Sequence, residues 1–155
     1  MTEIDFALNQ KQDTEIIELV GTVLWNKASE VQSFEQLSEP EKTFVYIDIF
    51  EGELNNGGLF DFFYNTSGAF AHQVLDAYQA IGAEESATIV SQAIALFPEL
   101  PVSKDLFIRR QLMSNLKHTV LAEWEKLESQ FFNSEEAIVT LLIAYITINK
   151  TYFEY

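Results

Sequence analysis

Apolar and polar positions follow a helical period along almost the whole chain. Between Asp13 and Asn26, Ile16, Ile17, Leu19, Val20, Val23 and Leu24 share one face at about 100° per residue, with Glu15, Glu18 and Thr22 opposite. This predicts an amphipathic helix. In "SEPEKTFVYIDIFEGELNNGG", Ser38 and Glu41 have capping-box spacing, and Pro40 falls in the first turn, where a missing N–H costs nothing. A helix is expected from about Glu39 to Leu54, stopping at the Asn-Gly cluster. Phe44, Val45, Tyr46, Ile47, Ile49, Phe50 and Leu54 leave only a narrow wettable stripe of Glu41, Asp48 and Glu51, which places it in the middle of a bundle.

The remaining elements follow from punctuation. A short helical turn is expected over Leu59–Tyr64. Ser67 is expected to cap a helix ending near Ile81, with Gly82 just past its end. A further helix is expected over Glu84–Phe97, ended by Pro98 and Pro101. Ser103 opens a longer stretch to about Phe132, broken near Ser114–Thr119. Ser134 is expected to cap a last, central helix over Glu135–Tyr152. No period-2 pattern competes, and no internal repeat is found. The expected fold is all-α: a single domain, residues 1–155, forming a compact helical bundle of about six to eight helices.

Composition narrows the chemistry. The chain has 155 residues, 14% of them aromatic, enough to bury a substantial core. It has no cysteine, so disulfides, thiolate zinc sites and cysteine nucleophiles are excluded. The start, "MTEIDFALNQ", lacks the basic and apolar regions of a signal peptide. The apolar run Ile138–Ile148 is shorter than the ~20 residues a bilayer needs. A cytoplasmic protein with no membrane contact is expected.

Charge changes the picture more. There are 24 acidic and 9 basic residues, a net charge of −15. Residues 1–61 hold 13 acids and 3 bases, and residues 62–155 hold 11 and 6. Such a field repels nucleic acid and attracts basic surfaces. Carboxylates three or four residues apart on a helix have Cβ atoms about 5–6 Å apart, comparable to neighbouring phosphates of a DNA strand. Glu15 with Glu18, Asp48 with Glu51, and Glu125 with Glu128 have this spacing.

The most conspicuous local feature is Glu53–Gly68, "ELNNGGLFDFFYNTSG". It matches neither the dinucleotide fingerprint nor the P-loop, and no basic residue lies between Lys42 and Lys104 to favour a phosphate. Its residues suit an elbow that ends one helix and starts another. A buried Asn55 or Asn56 bonded to backbone, with Phe60, Phe62, Phe63 and Tyr64 seeding the core, fits that role. An alternative is a ligand or small-enzyme site built from Asn55, Asn56, Asp61 and His72. His72 and Asp76 stand at i, i+4, too few ligands for a metal site. No cofactor is expected.

The block "GELNNGGLFDFFYNTSGAFAHQVLDAYQAIGAEESATIVSQAIALFP" resembles the core of a bacterial family of small, acidic, all-helical proteins, the DNA-mimic protein family. Asn55, Asn56, Gly57, Gly58, Phe62, Phe63, Asn65, Ser67 and Gly68 carry the likeness, with Ile81-Gly82-Ala83 after them. "LAEWEKLESQFF" and "EEAIVTLLIAYI" are similar too, so it covers roughly Glu39 to Phe153. The resemblance implies a helical, non-enzymatic protein whose carboxylates imitate double-stranded DNA and occupy a transcription factor's DNA-binding surface. The expected partner is a basic DNA-binding protein, either a transcription factor or a nucleoid protein. An immunity-type inhibitor of a basic toxin shares the same physics.

The expected partner surface comprises Glu15, Glu18, Glu41, Asp48, Glu51 and Glu53, extended by Glu84 and Glu85. Lys104, Arg109, Arg110 and Lys117 gather four of the nine bases in one stretch. They either neutralise local acids, face away from the acidic surface or bind a partner of their own. The protein is expected as a monomer or a homodimer, with Trp25 or Tyr155 available to a dimer.

Overall fold

The computed structural model describes residues 2–30 and 34–153. Eight α-helices are found there: α1 (Glu3–Leu8), α2 (Asp13–Glu30), α3 (Glu39–Tyr64), α4 (Ala71–Ala80), α5 (Glu84–Ala95), α6 (Leu106–Met113), α7 (His118–Asn133) and α8 (Ile138–Ile148). Among the described residues there is no strand, and no single helix is long and apolar enough to cross a membrane. The fold is all-α and a single domain, as the periodicity predicts.

Helix α3 is the axis. The Ser38–Glu41 capping box forms, with Pro40 in the first turn. Phe44, Val45, Tyr46, Ile47, Phe50 and Leu54 are buried, so the nearly all-round apolar pattern does mark a central helix. α3 packs against α2, α4, α6 and α7. The Phe50 ring makes edge contacts with Phe62 at 4.9 Å, Phe131 at 5.7 Å and Tyr78 at 5.8 Å. Rings from three helices thus meet on one side chain, in the geometry their quadrupoles favour. In α2, Ile16, Val20, Leu24 and Ala28 supply the buried stripe while Glu15, Glu18 and Thr22 face water.

Four expectations are corrected. α3 does not stop at Leu54: it continues through Asn55, Asn56 and Gly57 and breaks only at Gly58. Ser67 caps no helix, because its hydroxyl turns inward to donate to the Phe62 carbonyl, leaving 66–70 as a 3-10 turn before α4. Asp105, not Ser103, opens α6, its carboxylate accepting from the Ile108 N–H. The last helix is shorter than expected and peripheral: α8 packs on α2 and buries only Leu142 and Ile146. It starts at Ile138, and Glu136, just before it, reaches to α5 instead. Helix α1 was not anticipated, although Thr2 and Asp5 form a capping box there and Asp5 pairs with Lys150.

Candidate partner surface and the elbow behind it

The elbow forms where α3 breaks. Gly58 takes φ 82°, ψ −168°, a conformation that side-chain-bearing residues avoid. Beyond it a second helical segment starts at Leu59, and its first N–H is exposed by the break. The carboxylate of Glu128, on α7, accepts that N–H. A Cβ at Gly58 would lie 2.4 Å from a Glu128 oxygen, so the glycine also makes room for its own cap. Glu128 therefore works inside the fold, and the Glu125–Glu128 spacing is not a free phosphate-like pair.

Asn55 and Asn56 are exposed, against the expectation of a buried, backbone-bonded asparagine. Their side chains sit on the wet face of α3, so the helix passes through them without needing their amides. Phe62 and Phe63 are buried, with Phe63 stacked on Trp124 at 4.8 Å, while Phe60 and Tyr64 stay partly exposed. The Trp124 indole N–H donates to the Ala93 carbonyl, tying the aromatic stack to α5.

Arg109 explains the rest of the motif. It is fully buried, and its guanidinium donates to three carbonyls: Phe63 at 2.6 Å, Asn65 at 2.7 Å and Ser103 at 2.8 Å. These belong to the end of α3 and the loop before α6, where helix geometry leaves carbonyls without partners. Burial, then the neighbouring Arg110, lowers its pKa below the usual arginine range, but arginine remains charged in proteins. A Cβ at Gly68 would sit 2.4 Å from the Phe63 carbonyl oxygen and 2.5 Å from Arg109 Nε, so glycine is required for the guanidinium to enter.

Arg110 donates to the Tyr64 carbonyl at 2.9 Å and lies over the Tyr64 ring at 4.2 Å. Lys104 donates to the Ala69 carbonyl at 3.0 Å. Three of the four cations therefore serve carbonyls around the elbow, and Lys117 is exposed at the start of α7.

The expected surface acids divide by environment. Glu15, Glu18, Asp48, Glu84 and Glu85 are exposed. Asp48 is also oriented: the Trp25 indole N–H donates to it at 2.8 Å across α2 and α3. Glu53 is half-buried and accepts from the Asn65 amide at 3.1 Å. Glu51 is half-buried, and burial, reinforced by Asp48, pushes its carboxyl up to about 7. Glu41 is a correction. It is 1% exposed, closes the capping box through the Ser38 N–H and pairs with Lys27 at 3.1 Å, so it is withdrawn from any partner. A residue that completes a cap and an inter-helix ion pair cannot also face outward.

Two acids, Glu51 and Glu136, act on one buried phenol. Tyr78 is completely buried, and burial together with the fields of Glu51 and Glu136 raises its pKa well above 10. Glu136 accepts from the Glu85 N–H at 3.0 Å, the Ser86 N–H at 2.9 Å and the Ser86 hydroxyl at 2.7 Å, capping α5 from a distant part of the chain. Burial opposes its ionisation, but these bonds prevail and hold the carboxyl below its usual value. The pattern gives little sign of these long-range caps, since their partners lie 50 and 69 positions away.

The residues of the alternative ligand site have separate surroundings. His72 Nε2 accepts from the Val102 N–H at 3.0 Å, which fixes the ring as a loop anchor. The Asp61 carboxylate lies against Gly57, and both asparagines point to solvent. Among the described residues, no group of three or more His, Cys, Asp or Glu side chains is arranged to hold a metal. Trp25 is partly exposed but already bonded through its indole N–H, and Tyr155 lies outside the described residues.

The family model described as "DMP19-like protein" matches residues 35–149. No curated protein and no solved structure matches the chain.

Proposed function

The chain belongs to the DMP19-like protein family, and from that premise we propose that it is a cytoplasmic, non-enzymatic DNA mimic. It binds a basic DNA-binding protein, such as a transcription factor or nucleoid protein, and blocks its nucleic-acid surface. The observation that carries the reading is the family match over residues 35–149, joined to a net charge of −15 concentrated toward the N-terminal half.

The carboxylates that support it are Glu15 and Glu18 on α2, Asp48 and Glu53 on α3, and Glu84 and Glu85 at the start of α5. Glu51 contributes only part of a charge at neutral pH, and Glu41 contributes none to the surface. A rigid helical scaffold lets a partner meet these charges without ordering them first, which lowers the cost of association. Nucleic acid itself is repelled by the same field.

The test is affinity capture on the purified protein, with separate elution by salt and by duplex DNA. The expected result is a partner released by duplex DNA, whose binding falls steeply between 50 and 200 mM salt, conditions taken from phosphate-like recognition. Reversing Glu15, Glu18, Asp48, Glu53, Glu84 and Glu85 together is expected to abolish that binding. Salt-insensitive binding, or binding that survives the six reversals, overturns the reading.

A further inference from the structure

The second half of the elbow and helix α6 enclose a groove of a different character from the acidic surface. Its volume is about 480 Å³, and Phe60, Tyr64, Leu106, Phe107, Arg110 and Met113 line most of it. Phe60 and Tyr64, one helical turn apart, stack at 5.5 Å along one wall. On the other wall Phe107 is 71% exposed. Large exposed rings gathered in a concave site mark a place where something binds.

Charge says what. Among the described residues the lining holds no carboxylate, in a chain with 24 acids, and its one ion is Arg110. The Arg110 guanidinium is held in place by its Nε bond to the Tyr64 carbonyl and by the Tyr64 ring beneath it. Among the described residues, its two Nη groups meet no acceptor in the chain. A planar cation fixed at the edge of an apolar groove is a receptor for a carboxylate, which it binds bidentately. A cationic segment, of the kind the acidic surface attracts, finds no carboxylate in this lining.

We propose that this groove is a second binding site, and that it takes a short segment of a partner protein in which an Asp or Glu is flanked by apolar side chains. The helix wall from Leu106 to Met113 is roughly 10 Å long at 1.5 Å per residue. That accommodates about three extended residues, with the carboxylate on Arg110 and apolar side chains against Phe60, Tyr64 and Phe107. Such a site would let the protein engage an acidic amphipathic segment while its acidic surface engages a basic one. It does not rest on the DNA-mimic reading, and the six charge reversals that test that reading leave the groove intact.

The test uses two blocked tripeptides, acetyl-Phe-Glu-Phe-amide and acetyl-Phe-Gln-Phe-amide, titrated into the full ¹⁵N-labelled chain at 0.15 M salt. Saturable shifts are expected at Phe60, Tyr64 and Phe107, with the Gln peptide about tenfold weaker, as loss of a charge-assisted bond predicts. Arg110→Gln is expected to remove the difference between the peptides. Phe107→Ser, at a solvent-facing position that should not disturb folding, weakens both alike. Equal affinity of the two peptides for the unaltered chain overturns the proposal, as does the absence of saturable binding. So does a sedimentation result in which a second copy closes the groove and Phe107→Ser releases it.

Discussion

Replacing Glu51 by Gln is expected to stabilise the protein in neutral and alkaline solution while changing little in acid. The Glu51 carboxyl sits at about 7 in the fold, against 4.5 when solvated, because burial and the neighbouring Asp48 both penalise its charge. A carboxyl whose folded pKa is raised favours folding only while it can keep its proton. Below about pH 4.5 both folded and unfolded chains are protonated, and Glu51 makes no pH-dependent difference. Between about 4.5 and 7 the unfolded chain releases the proton and the folded chain retains it, so stability falls as pH rises. Above 7 the folded carboxyl ionises as well, and the loss levels off. At about 1.4 kcal/mol per tenfold change in proton affinity, the shift from 4.5 to about 7 corresponds to about 3–4 kcal/mol, reduced to about 2–3 kcal/mol where water screens the half-buried group.

Urea unfolding of the native chain and Glu51→Gln, measured from pH 4 to pH 9, reads the difference directly. Taking the difference between chains removes the opposing contribution of Glu136, which stabilises above its own pKa and is lost as pH falls. The expected curve is flat below 4.5, rises through 7 and then flattens at about 2–3 kcal/mol in favour of Gln. A difference that is constant with pH, or that grows toward acid, refutes the assignment of Glu51 as a carboxylate held against its charge.

Arg109→Met is expected to cost about 3 kcal/mol or more, because it strands one buried and two part-buried carbonyls, and Arg109→Lys recovers only part since one ammonium cannot reach all three; denaturant midpoints decide. Glu136→Ala is expected to cost about 1–2 kcal/mol and to speed hydrogen exchange at the Glu85 and Ser86 amides, with Glu136's contribution disappearing as pH falls through its lowered pKa. Gly68→Ala, where a Cβ meets the Phe63 carbonyl oxygen, is expected to cost about 2–3 kcal/mol. Gly82→Ala, at φ 80° with open space around it, is expected to cost only about 1 kcal/mol, with thermal melts of the two glycine variants deciding.

Much of this fold was legible because its information is local. The apolar stripe of α2, the all-round apolar character of α3, the Ser38–Glu41 cap and the Gly82 helix end each follow from residues within a few positions of one another. What was not legible depends on groups meeting from far away. Ser67 looks like a helix cap until Phe62 presents a carbonyl to it. Ile138–Ile148 looks like a core helix because hydropathy reports composition, whereas its position is set by its packing on α2 alone among the larger helix contacts. The basic stretch around Arg109 could not be interpreted from the sequence alone, since its three acceptors are distributed over the end of α3 and the loop before α6. Glu41 was misplaced for the same reason: a glutamate three residues after a serine reads correctly as a cap, but its burial depends on Lys27 arriving from α2.

The same distinction separates the acids that build the fold from those available to a partner. Glu41, Glu128 and Glu136 each satisfy backbone N–H groups at a helix start, where the helix dipole and unpaired donors favour a negative charge. Asp48 and Glu53 are different, because each is fixed by a neutral donor, the Trp25 indole and the Asn65 amide, that orients the carboxylate without cancelling its charge. A charge held this way keeps its field and loses little entropy when a cation approaches, unlike the exposed Glu15 or Glu18, whose carboxylates have no such donor among the described residues. Under the DNA-mimic reading, Asp48 is therefore the strongest single contact. Trp25→Phe, which keeps an aromatic side chain and removes the donor, is expected to weaken partner binding about three- to tenfold with unchanged net charge. Binding unaffected by Trp25→Phe but lost on Asp48→Asn would mean that charge alone matters and orientation does not.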